Sequence, residues 1–87
     1  MHRFVVAGTQ ELGRLFALCD SDGHFHVARS NVDTPPVGVR LTGNKPALGF
    51  GLLLGESLDK VYRVTFEEVH CRHQAAMQSL HGDLYTS

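Results

Sequence analysis

Cys19, His24 and His26 are the residues whose types and spacing come closest to a chemical site in this chain. Thiolate and imidazole together form a ligand set for zinc and related transition metals. The turn signal Asp20-Ser21-Asp22-Gly23 separates two short apolar segments, 15–19 and 24–30. A hairpin closed by those four residues sets Cys19 opposite His24, Leu18 opposite Phe25, Ala17 opposite His26 and Phe16 opposite Val27. Cys19, His24 and His26 then share one face, with the Cβ atoms of Cys19 and His24 roughly 5 Å apart. The other face, Phe16, Leu18, Phe25 and Val27, is wholly apolar. A second group, His70, Cys71 and His73, stands where a helix is expected to begin. There His73 reads as a hydrogen-bonded residue at the core edge and His70 as solvated. Neither group has Cys-x-x-Cys or His-Glu-x-x-His spacing, so the zinc reading rests on proximity alone.

Other chemical patterns fail on inspection. Gly8 and Gly13 have the spacing of a phosphate loop, but Arg14-Leu15 replaces the required Lys-Ser/Thr and Glu11 sits inside. Asp20-Ser21-Asp22-Gly23 opens like a calcium loop, but its glycine is early and no glutamate closes twelve residues. No nucleophile, base and orienting acid occur in a recognised catalytic order, so the chain reads as a non-enzyme.

A glycine-floored face is the second candidate. Val37, Val39 and Leu41 alternate with Gly38, Arg40 and Thr42; Leu48, Phe50, Leu52 and Leu54 alternate with Ala47, Gly49, Gly51 and Leu53. Gly43-Asn44-Lys45-Pro46 reads as the turn between them. The resulting hairpin buries Val37, Val39, Leu41, Leu48, Phe50 and Leu52 and leaves Gly38, Gly49 and Gly51 bare on the other side. Arg40 and Arg63 border that floor. Such glycines either permit strand curvature, the favoured reading, or open a groove for a ligand.

Residues 3–7 and 60–66 supply further strands, and the chain then turns helical. Val69, His73, Ala76, Met77 and Leu80 lie on one helical face, with Thr65 and Glu68 at capping-box spacing and His81-Gly82 at the close. The predicted fold is mainly β: about five antiparallel strands in a small barrel or strongly bent sheet, with one C-terminal helix covering an opening. The alternative is an α+β fold with a second helix at 9–19, where Leu12, Leu15, Phe16 and Cys19 have helical spacing and Thr9 could cap, although Gly13 weakens it. In the hairpin, Arg14 faces Arg29, which predicts fraying or an intervening anion.

Length and composition set the class. Eighty-seven residues, 43% of them hydrophobic, make one domain spanning 1–87. Eight basic and nine acidic residues give a net charge of −1, the wrong balance for phosphate-backbone binding. Two cysteines are few for a disulfide-stapled secreted domain, and neither a signal peptide nor a membrane span is evident, so a cytoplasmic location is expected. The expected function is a non-catalytic binding module for a protein partner or a second copy, recruited by unpaired strand edges unless a barrel closes them. A metal-binding protein and a small-barrel nucleic-acid binder are the alternatives.

Overall fold

The computed structural model describes residues 2–56 and 60–85, with only the backbone course for 81–85. Six strands and a helix follow in order: β1 (His2–Gln10), β2 (Leu15–Asp20), β3 (Phe25–Ser30), β4 (Arg40–Gly43), β5 (Gly49–Gly55), β6 (Val61–Cys71) and α1 (His73–Tyr85). Every neighbouring pair is antiparallel, and the order β1-β2-β3-β6-β5-β4 closes on itself where β4 meets β1. The mainly-β barrel with one C-terminal helix is as expected. The helix considered at 9–19 does not form: the Gln10 side chain accepts from the Gly13 amide, Arg14 adopts a φ of 55°, and the chain reverses into β2.

The barrel interior is filled by Phe4, Val6, Phe16, Leu18, Ala28, Leu41, Leu53, Tyr62, Val64 and Phe66. Helix α1 does not cover an opening. It lies on the outer wall, where Ala76 and Leu80 pack with Leu15, Ala17 and Val27 in a second apolar cluster. Gly8 allows this approach, since a Cβ there would stand 3.1 Å from Leu80 Cδ1. The strand-to-helix boundary falls later than the capping-box spacing implied. β6 continues through Val69 to Cys71, the first helical amide bond runs from Ala76 to the Arg72 carbonyl, and the helix passes through Gly82. Glu68, read as a helix-start acid, instead accepts from the Ser79 hydroxyl across the strand–helix contact.

Two registers differ from the sequence reading. The β2–β3 loop has three residues, Ser21-Asp22-Gly23, because Asp20 already pairs with His24 (N···O 2.9 Å) and Gly23 takes a φ of 85°. The one-residue change sets Cys19 opposite Phe25 and Leu18 opposite His26. It therefore exchanges the faces of β3. In the second hairpin Leu41 pairs with Gly55 and Gly43 with Leu53, not Leu41 with Leu48. Arg29 stands opposite Leu15 and not Arg14, so the like-charge pairing expected from the sequence does not arise, and the Arg29 guanidinium meets Glu67 of β6 at 2.6 Å.

Candidate functional site

His26 is fully buried at the end of the barrel that carries the β2–β3 turn. Its Nδ1 accepts a hydrogen bond from the backbone N–H of His70 at 3.0 Å. An amide can only donate, so the ring proton sits on Nε2, which lies 2.8 Å from Asp20 Oδ2 and donates to it. Asp20 Oδ1 accepts from the Asp22 and His24 amides at 2.9 and 3.0 Å, which forms the turn itself. The amide of His70 reaches the ring because β6 bulges there. Phe25 pairs with Cys71 and Val27 with Glu68, so Val69 and His70 together face His26, and His70 takes a φ of 52°. Phe4 presents an edge to the imidazole at 5.8 Å, and the His70 ring closes the outer side at 4.9 Å.

Burial pushes the His26 pKa below its ordinary value, against the opposing pull of Asp20. Burial also works to raise the Asp20 carboxyl, but the hydrogen bonds from His26, His24 and Asp22 outweigh it and hold the group below the usual range. Both imidazole nitrogens are thus committed inside the protein. The ring has no free lone pair with which to accept a proton or hold a metal in this arrangement.

The structure separates the residues first considered as ligands. Cys19 points to the outer wall and His26 to the interior. Ligand atoms within 4.8 Å of one another group Asp20 with His26 and His70, and Asp20 with Asp22 and His24, but neither group contains Cys19. Burial, with the nearby Asp20 charge, raises the Cys19 pKa, so the side chain is a neutral thiol, and its Sγ donates to the Asp20 carbonyl at 3.5 Å. In the sequence Asp20 reads only as part of the turn and His70 only as a solvated residue of a second histidine group, so neither is linked to His26 there.

The glycine face also divides. Gly51 faces the barrel interior against Phe66, whereas Gly38 and Arg40 lie together on the outer surface. Arg63 is exposed opposite Leu52. With glycine taking inward positions of β5, its large apolar residues point outward. Leu48, Phe50, Leu52, Leu54 and Val61 are each 41–69% exposed. At about 150–250 Å² for a whole large side chain, they present on the order of 500 Å² of apolar surface, at the upper end for a monomer's largest patch. Comparison with protein-family models, curated proteins and solved structures finds no match, so the chain's own geometry carries the functional argument.

Proposed function

We propose that this domain is a non-catalytic interaction module whose partner is a second copy of the same chain, docked through the β5–β6 wall. The observation that carries this reading is the outward row Phe50, Leu52 and Leu54 with Val61 beside it. Barrel closure removes the strand-edge route to a partner and leaves side-chain packing as the means of association. The strip is self-complementary: in an antiparallel contact centred on Leu52, Phe50 of one copy meets Leu54 and Val61 of the other. Two such faces would remove roughly 1,000 Å² in total, the lower bound for a specific interface. A net charge of −1 opposes the pairing of copies only weakly.

Sedimentation equilibrium at micromolar concentration tests the reading. The wild-type chain should sediment as a dimer. Leu52→Glu, at an exposed position, should sediment at the 9.6 kDa of one chain with its barrel intact. A wild-type chain that stays at that mass over the same range overturns the proposal.

A further inference from the structure

The outer surface of β4, β1 and β2 carries a second feature, next around the barrel from the β5–β6 wall. Val5 pairs with Arg40 on one side and Cys19 on the other. All three point away from the interior, which the alternate residues Phe4 and Val6 occupy. Arg3 lies on the same face, diagonal to Arg40, with Cβ atoms roughly 7–8 Å apart by strand geometry. These residues, with Ser21, line a cleft of about 320 Å³. Across Arg40 and Glu56 it continues into a hollow beside Val37, Gly38 and Val39.

The cleft is lined by two cations, Arg3 and Arg40, and two acids, Asp20 and Glu56, and inside it the cations are more open to solvent than Asp20. Arg3 and Arg40 are exposed, and neither guanidinium has a carboxylate partner among the described residues. Of the two acids that line the cleft, Asp20 keeps its charge, but its side chain is only 7% exposed and its oxygens are turned to His26 and to the Asp22 and His24 amides. Glu56 stands where the cleft meets the hollow. Val5, 43% exposed, supplies the apolar floor, and the Cys19 thiol beside it is neutral. Two guanidinium groups on one side of an apolar floor suit a planar or tetrahedral oxyanion attached to a hydrophobic body.

We propose that this cleft binds a small organic oxyanion, a carboxylate or phosphate monoester with an aryl or alkyl body, held by Arg3 and Arg40 over Val5. Glu56 limits the site to one anionic group and favours a ligand whose far end is neutral or cationic. The site does not depend on self-association, because none of its residues belongs to the β5–β6 wall.

The test is a titration of ¹⁵N-labelled full chain with benzoate, phenyl phosphate and inorganic phosphate at constant ionic strength. Benzoate, phenyl phosphate or both should give saturable amide shifts centred on Arg3, Val5, Cys19 and Arg40, and the stronger of the two identifies the oxyanion. Inorganic phosphate, lacking the apolar body, should bind more weakly. Arg3→Gln with Arg40→Gln should weaken binding by about tenfold or more while the remaining amide spectrum stays in place. As an independent readout, the bound aryl compound should slow alkylation of Cys19 by iodoacetamide but not that of Cys71, which lies under the helix. Absence of saturation with both aryl compounds overturns the proposal. So do shifts that survive the double substitution, or equal binding of inorganic phosphate.

Discussion

A Cβ on Gly51 would stand 2.7 Å from Cε2 of Phe66. Gly51 pairs with Val64 across β5 and β6, and Phe66, itself 5% exposed, leans over the glycine within the barrel. The missing side chain is therefore what admits the ring. The glycine serves packing, and the groove reading of this position loses its ground.

Gly51→Val should consequently destabilise the fold. The added side chain presses on a ring that is 5% exposed, and overpacking of this kind costs about 1–3 kcal/mol. Urea denaturation should show the loss as a lower midpoint with an unchanged slope. A variant that melts at or above wild type would mean that Phe66 has room to move.

The same glycines explain what the sequence revealed and what it concealed. Alternation along β5 was legible as a strand, but the direction of its faces was not. Leu48, Phe50, Leu52 and Leu54 form the more apolar row, and hydrophobicity alone sends that row inward. Inside a small barrel, however, Phe66 already occupies the space beside Gly51, so the apolar row faces out. The β2–β3 turn was equally legible as a turn. Its length was decided by Asp20, whose side chain gathers the Asp22 and His24 amides and whose backbone pairs with His24. That one residue of register moved His26 from the predicted ligand face to the core. The bulge at His70 had no local signal at all, since a histidine with positive φ is held there by its bond to a residue far away in the chain.

Self-association through the β5–β6 wall predicts a thermal signature. If dimerisation is linked to folding, Tm rises with protein concentration by mass action. The wild-type chain should show that rise across a hundredfold dilution series. Phe50→Ser should abolish it, and because Phe50 is 69% exposed, the variant should retain the wild-type strand content by circular dichroism. A rise of the same size in the variant would place the contact elsewhere.

The raised Cys19 pKa predicts a slow thiol. Its ordinary value is 9.0, and burial beside Asp20 moves it higher, so the reactive thiolate is scarce at neutral pH. Alkylation of Cys19 in the folded chain should be slower than that of a free cysteine at pH about 7.5, and should still be climbing at pH about 10, where a free thiol levels off. Asp20→Asn removes the charge, though it also disturbs the turn, so the profile should move toward lower pH. A rate plateau near neutral pH would contradict the assignment of a neutral thiol.

His26 gives the most specific prediction, because one proton decides whether its hydrogen bonds exist. In the folded protein Nδ1 must keep its lone pair to accept from the His70 amide, and burial lowers the pKa accordingly. In the unfolded chain the ring titrates near its ordinary value of 6.5. Above that value both states hold a neutral ring, and His26 adds no pH dependence. As pH falls below 6.5 the unfolded state takes up a proton that the folded state refuses. Stability therefore declines down to the lowered folded value, with a slope of at most about 1.4 kcal/mol per pH unit for one group. Asp20 acts in the same direction at lower pH. Its contribution is full above its ordinary 3.8 and is lost as pH falls through its lowered folded value. Two substitutions separate this linkage from simple packing. His26→Ala leaves a cavity, an unpaired Asp20 oxygen and an unpaired His70 amide, and should cost about 2–4 kcal/mol at pH about 8. His26→Gln can place its carbonyl oxygen on the His70 amide and its amino group on Asp20, so it should cost less. With no proton to gain, it should also show a flatter urea midpoint between about pH 8 and about pH 5 than the wild-type chain. If wild type and His26→Gln lose stability in parallel over that range, the pH dependence arises from the exposed histidines and the locked tautomer is not its source.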